Sequence, residues 1–220
     1  MKKTLCNDSL KTHIIDNLSR FTRTALDSKG LRRAAVAVTI VDYRNCGNIS
    51  GLLPETDEGA ALILTRRSAR LKNHAGQWAL PGGSIDEKET VEETALRELE
   101  EEVGLRLKKN QLLGLLDDFI TRSGFHITPV LFWGGQTPHL QANPEEVASI
   151  HRIPCREFLR TDAPVLDKSA RSEQPVLFMP VGNAWIATPT AAILYQFREV
   201  VLLGRQTRVA HFEQPFFAWR

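Results

Sequence analysis

The sequence predicts an α/β fold in which a mixed β-sheet carries helices on its faces. Three observations lead there. Apolar, β-branched runs such as "AAVAVTIVDY" (34–43) and "AALILTRR" (60–67) read as buried strands. A glutamate-rich segment at 89–103 has helical periodicity and stops at Gly104, a natural residue just past a helix end. Strand-like runs then resume, without the regular strand–helix alternation of a wholly parallel sheet. The 220 residues, 42% hydrophobic and 25% charged, suffice for one sizeable core.

Taken in order, residues 8–28 set Leu10, Ile14, Ile15, Leu18, Phe21 and Leu26 at helical spacing behind Asp8 or Ser9 as cap. Residues 1–30 are therefore expected to form a helical extension packed on a domain spanning 31–220. The polar, Gly-containing "RNCGNISGLLPETDEG" reads as a surface loop. "NHAGQWALPGG" (73–83) is loop-like, with a short extended piece near Trp78–Leu80. Strands are expected at 111–121 and 126–134, and "NPEEVASIHRIPCREFL" mixes a loop, a short strand and a short helix. "PVLFMPV" and "NAWIAT" flank a turn at Gly182–Asn183, and Pro189 fits the first turn of a helix carrying "TAAILYQFREVVLLG". The aromatic tail "RVAHFEQPFFAWR" is expected to be extended and to serve core or homodimer contact.

Composition excludes several classes. A formal charge of +2, with no long basic stripe, argues against a nucleic-acid partner. Cys6, Cys46 and Cys155 are odd in number and form no CxxC pair, so neither a zinc site nor a disulfide framework is suggested. Asn7, Asp8 and Lys11 break the apolar stretch that a signal peptide would need after "MKK". No run approaches the roughly 18 apolar residues that span a membrane. The expectation is a cytoplasmic protein of a reducing compartment.

The helix 89–103 holds the chemistry. Glu98, Glu101 and Glu102 stand at i, i+3 and i+4 and share one face. Like charges at that spacing repel by about 0.2–0.5 kcal/mol per pair. Val91, Ala95, Leu99 and Val103 form a separate apolar stripe that anchors the helix. Arg97 can bridge to Glu101, and Glu100 points elsewhere. A solvated, salt-bridged surface helix would share these features. So would a site for a hard divalent cation, which takes carboxylate oxygens together with substrate phosphates. Upstream, "LPGG" brings two glycines, which allow close backbone approach to a phosphate or metal.

Read together, the two segments place Gly83, Glu89, Arg97, Glu98, Glu101, Glu102 and Gly104, with apolar Leu99 and Leu105, at the spacing of the Nudix box. The chain thus resembles the Nudix hydrolases. The resemblance implies an α/β/α sandwich and cleavage of diphosphate bonds in nucleoside diphosphate derivatives with Mg2+ or Mn2+. It carries Glu98 and Glu102 over as main metal ligands and Glu101 as a third ligand or a base. It further implies Arg97 as orienter of a glutamate, Glu89 as support, and the Gly82 carbonyl as a further ligand. Glu145 and Glu146 lie where some relatives place an additional catalytic glutamate, which makes Glu146 a candidate acid or base. On its own, "NPEEV" reads as a helix start with exposed acids.

The stretch "LILTRRSARLKNHAGQWALPGG" resembles the signature of the coenzyme A diphosphatase branch at Thr65, Arg67, Ser68, Gly76, Pro81, Gly82 and Gly83. Lys72 replaces an arginine, losing the bidentate fork, and Leu80 replaces a phenylalanine. "WIATPTAAILYQF" is loosely similar to a later segment of that branch. The resemblance implies a coenzyme A-like nucleotide substrate held by Arg67, Ser68, Lys72, Gly76 and Gly83. Arg66 and Arg70 read as a basic patch on a solvated edge. The alternatives are ADP-ribose, NADH or a dinucleoside polyphosphate as substrate, or a nucleotide-sensing module.

Overall fold

The computed structural model describes residues 5–43, 49–52, 59–136, 139–169 and 172–215. Cys46, most of the loop expected at 44–59 and the end of the aromatic tail lie outside them. In chain order the elements are α1 (Asp8–Ser19), β1 (Arg32–Asp42), β2 (Ala60–Arg67), β3 (Trp78–Ala79), β4 (Gly82–Ser84), α2 (Val91–Val103), β5 (Leu112–Leu115), β6 (Phe119–Ile120), β7 (Phe125–Gly135) and β8 (Val147–Pro154). There follow α3 (Cys155–Phe158), β9 (Val165–Asp167), β10 (Val176–Val181), β11 (Ala184–Ala187) and α4 (Thr190–Gln196), which continues as a π-helical segment, Phe197–Leu202.

The main sheet runs β3-β2-β1-β7-β5, with β4 added to β1, β6 to β7 and β8 to β2. β1 and β7 pair parallel, and the other pairs are antiparallel. The sheet is therefore mixed, as expected. Alternation along β1 explains the layers. Ala35, Ala37 and Val41 meet Ala95, Leu99 and Val103 of α2 on one face. Val38 and Ile40 meet Leu194, Phe197 and Val201 on the other. Both faces are covered, so the central strands read as nearly continuous apolar runs.

Three local expectations change. Helix α1 is capped by Asn7, whose side chain accepts the Leu10 N–H, rather than by Asp8 or Ser9, and it ends at Ser19. Beyond it the chain runs extended, because Asp117 accepts the Thr24 N–H (2.6 Å) and Asp118 accepts the Leu26 N–H (2.9 Å). The same two buried carboxylates interrupt the strand expected at 111–121 and separate β5 from β6. "NPEEV" is a turn leading into β8 and starts no helix: the Glu146 and Val147 N–H groups both return to the Asn143 carbonyl. Strand β9, which was not anticipated, completes a small β11-β10-β9 sheet.

Candidate active site

Helix α2 is fixed at both ends by its own sequence. Thr90 and Glu93 form a reciprocal capping box, and Gly104 closes the helix in a left-handed conformation at φ 70°. A side chain at residue 104 would be strained by that φ and would also press on Gln141. Rigid ends set the rotation of the glutamates.

Arg97 organises the exposed side of the helix. Its Nε and Nη2 donate to the two Glu89 oxygens (2.9 and 3.1 Å), and Nη1 donates to Glu98 Oε1 (2.7 Å) and Glu101 Oε2 (3.0 Å). Thr94 Oγ1 also donates to Glu89 (2.7 Å). The bonds from Arg97 and then Thr94 hold the Glu89 carboxyl down at about 2. Arg97 is therefore a fork that aims Glu98.

Glu98 and Glu102 turn inward and are buried. Loss of solvation raises both carboxyls, and Glu102, only 3% exposed, is pushed up to about 8 by burial and then by the charge of Glu98. Arg67 and the Gly82 N–H oppose that rise. A third acid arrives from a distant segment. Gln141 N–H donates to the Val103 carbonyl (2.9 Å) and Asn143 N–H to the Glu102 carbonyl (3.0 Å), docking the turn on the helix end. Ser68 N–H then holds the Glu146 carbonyl (2.8 Å), and Ser68 Oγ donates to the Pro144 carbonyl (3.3 Å). Glu98, Glu102 and Glu146 thereby bring oxygen atoms within 4.8 Å of one another.

Three carboxylates converge, two of them stripped of water, and Arg97 on Glu98 and the charge of Arg67 on Glu102 only partly offset that loss of solvation. Oxygen donors of this kind suit a hard divalent cation. The donor set fits a hard divalent metal, which Glu98, Glu102 and Glu146 could hold together.

The glycine pair lies against the cluster. A Cβ at Gly83 would overlap the Glu98 carboxylate, and one at Gly82 would strike the β1 backbone at Ala35 and Val36. Close approach, rather than positive φ, is what these two glycines provide. Arg67 lies between the cluster and a cavity of about 330 Å³ bounded by His74, Trp78, Gly83, Phe125 and Gln214. Its Nε is buried without a partner among the described residues. Through Trp78, Gln77, Pro189 and Thr190 this cavity adjoins a larger one of about 660 Å³, walled by Phe178 and by the exposed Leu166 and Trp185.

Of the residues expected from sequence, Glu98, Glu102, Gly82, Gly83 and Arg67 converge here. Glu101 stands apart, its side chain 53% exposed and bonded to Arg97. Ser68 is buried against the Glu146 turn. Gly76 makes the turn after β2, donating its N–H to the Arg67 carbonyl (3.0 Å). Lys72 is exposed on the loop that carries His74. Arg66 stacks on Trp78 at 4.5 Å and Arg70 pairs with exposed Glu145, so neither joins the cluster. Sequence reasoning did not place Glu146 with the helix, and it overlooked Trp78 and Gln214.

The family profile described as "NUDIX domain" matches residues 49–172. A protein of Photorhabdus laumondii described as "Uncharacterized Nudix hydrolase NudL" is 41% identical over 143 residues, covering 64% of this chain and 76% of that one. A protein of Citrobacter koseri with the same description is 36% identical over 148 residues, covering 66% and 71%. Among solved structures, the MutT protein from Methanosarcina mazei Go1 superposes with a TM-score of 0.43 at 20% identity, covering 62% of this chain and 82% of that one. Among the described residues no helix is long and apolar enough to cross a membrane. The profile match runs over more than half of the chain and encloses the helix that bears the carboxylates, and by it the chain belongs to the Nudix hydrolase family.

Proposed function

We propose that the chain is a Mg2+- or Mn2+-dependent cytoplasmic hydrolase of coenzyme A or acyl-CoA. It cuts the diphosphate to give (acyl-)4′-phosphopantetheine and adenosine 3′,5′-bisphosphate. The observation that carries this reading is the pair of unequal cavities meeting at Trp78 beside Arg67. The smaller suits a nucleoside. The larger, with Leu166, Phe178 and Trp185 lining it, suits an uncharged and partly apolar arm. Coenzyme A has two such unlike arms, whereas a dinucleoside polyphosphate has two like ones.

Glu98, Glu102 and Glu146 would hold a divalent ion, which would supply counter-charge for the diphosphate and lower the pKa of a bound water. The rest falls to side chains. Arg97, fixed by Glu89, holds Glu98 in its rotamer. Arg67 meets the diphosphate with its unpaired Nε–H. We assign Lys72 to the separate 3′-phosphate, since it shares the loop of His74. As the water oxygen bonds to phosphorus, the bridging P–O bond breaks and the bond electrons leave with the departing phosphate. Glu101, exposed and outside the cluster, takes the water proton.

The test is a metal-dependent hydrolysis panel with products read by mass spectrometry, containing coenzyme A, acetyl-CoA, ADP-ribose, NADH and diadenosine polyphosphates. Coenzyme A and its acyl form should be cut fastest. An intact coenzyme A beside rapidly cut ADP-ribose overturns the substrate assignment and leaves the reaction type standing.

A further inference from the structure

Strand β10, "VLFMPV", is apolar at every position, as a strand covered on both faces would be. One face carries Leu177, Met179 and Val181, which join Ile186 of β11 in the core cluster around Leu194 and Phe197. Strand register gives the other face: Phe178 stands beside Val165 of β9 and Ala187 of β11, and Pro180 beside Trp185. Val165, Phe178, Trp185 and Ala187 all line the cavity of about 660 Å³. The second apolar face of the small sheet is therefore a wall of that cavity. Among the described residues, Trp185 (55%) and Leu166 (54%) are the large apolar residues most open to solvent, and both line the same cavity. Apolar exposure gathered in one place marks a binding surface.

The wall begins at the reaction site. Gln77, Trp78, Pro189 and Thr190 border both cavities. From Pro189 the wall runs back along β11 through Ala187 to Trp185, about 7 Å further at the rise of a strand. Across β10 it reaches Val165 and Leu166 on β9. Charge is kept to the margins. Asp167 is exposed at the end of β9, where it accepts the Lys168 N–H (2.7 Å). Arg66 is held by stacking on Trp78 at 4.5 Å and by donating to the Gly76 carbonyl (2.8 Å). A concave space of this volume, apolar along one side and continuous with the reaction site, has the form of a small-molecule pocket.

We propose that the outer face of the β9–β11 sheet binds the acyl chain of a coenzyme A thioester, with Trp185 and Leu166 making the site selective for medium-length chains over acetyl and over the free thiol. The amides of the pantetheine arm then lie near the polar junction at Gln77 and Thr190, and the methylenes beyond the sulfur lose water against Phe178, Trp185 and Leu166. The proposal rests on the reading of the chain as a coenzyme A hydrolase and adds to it the class of acyl group preferred.

The experiment is titration calorimetry of 4′-phosphopantetheine and its octanoyl thioester in Mg2+, which present this arm without the nucleotide. Wild type should bind the octanoyl form at least about tenfold more tightly, a gain that about two fully buried methylene groups suffice to supply. Trp185→Ser and Leu166→Ser should each reduce the preference at least about threefold, through weaker binding of the octanoyl form. Both side chains are exposed, so both variants should fold. Ile15→Ser, at a residue 45% exposed on α1, should keep the full preference. In the hydrolysis assay kcat/KM should rise from coenzyme A through acetyl-CoA to octanoyl-CoA. Equal binding of the two forms by the wild type overturns the proposal, and so does an undiminished preference in both serine variants at residues 166 and 185. A wild-type dimer that Trp185→Ser dissociates, without any preference for the octanoyl form, gives the face to a second copy of the chain and also overturns it. If coenzyme A and octanoyl-CoA stay intact while ADP-ribose is cut, the coenzyme A reading falls and the acyl site with it. If coenzyme A is cut and the octanoyl chain brings no gain, only the acyl site falls.

Discussion

Glu102→Gln replaces a carboxylate whose titration is displaced to about 8 with an amide of the same shape that never ionises. The folded-state value lies above the ordinary 4.5, so the folded chain holds a proton that the unfolded chain has released. Metal-free stability from this group is therefore fully present below pH 4.5 and is lost as pH rises towards 8. At about 1.4 kcal/mol per pH unit, the displacement amounts to at most about 5 kcal/mol. A chain of this length shifts its melting temperature by about 2–4 °C per kcal/mol. In chelator, the wild type should thus lose about 10 °C more than Glu102→Gln between pH 5 and pH 9. Circular-dichroism melts across that range measure the difference between the two slopes, which removes the titrations they share. Mg2+ should restore the wild type at high pH, where the ionised carboxylate gains its counter-charge, and should leave the variant unchanged. Parallel slopes for the two proteins would refute the assignment of Glu102 as the buried, metal-seeking acid.

Glu101→Gln should lower kcat by about 100-fold or more with Mn2+ affinity unchanged, since Glu101 lies outside the cluster. Glu146→Gln should instead weaken Mn2+ binding by at least about tenfold, read by calorimetry, although it is far from the helix in sequence. Gly83→Ala should abolish most activity in the hydrolysis assay, because the new methyl overlaps the Glu98 carboxylate and displaces it from the place in which Arg97 holds it. Gly82→Ala meets β1 backbone and should cost about 1–3 kcal/mol in urea denaturation. The stability contributed by the Arg97–Glu89 pair is present above pH 4.5 and disappears as pH falls towards 2, so Arg97→Met should flatten the acid limb of stability measured over that interval.

Legibility followed the range of the interactions. The end of α2 was readable because Gly104 acts within one turn of it, whereas the start falls at Val91, two residues beyond the expected 89, where Thr90 and Glu93 cap the helix. Strand β2 was readable because its apolar residues are buried on both faces. The sorting of the three glutamates was not. Helical spacing puts Glu98, Glu101 and Glu102 on one broad face, but the Arg97 guanidinium engages Glu101 on the solvent side, while Glu98 and Glu102 turn to the interior. Glu146 joins them only through backbone bonds to Ser68 and to the end of α2, which no local pattern announces. The position of Gln214 was invisible for the same reason, since it depends on the ion pair of neighbouring Glu213 with Arg122 from a different part of the chain. The end of α1 was missed because the pull that straightens residues 21–27 comes from Asp117 and Asp118.

The Glu146 turn gives the carboxylate cluster one more property. Two of its members lie on one helix and the third enters from the turn before β8, so any cation they share closes a long ring of polypeptide that includes β5, β6 and β7. Such a clasp exists only while the two segments are together, so binding of the ion draws the equilibrium towards the folded chain by mass action. Loading the site should therefore slow proteolysis throughout the sheet, including strands that never come near the ion. The ion that readies the reaction would also be a reversible staple for the whole fold.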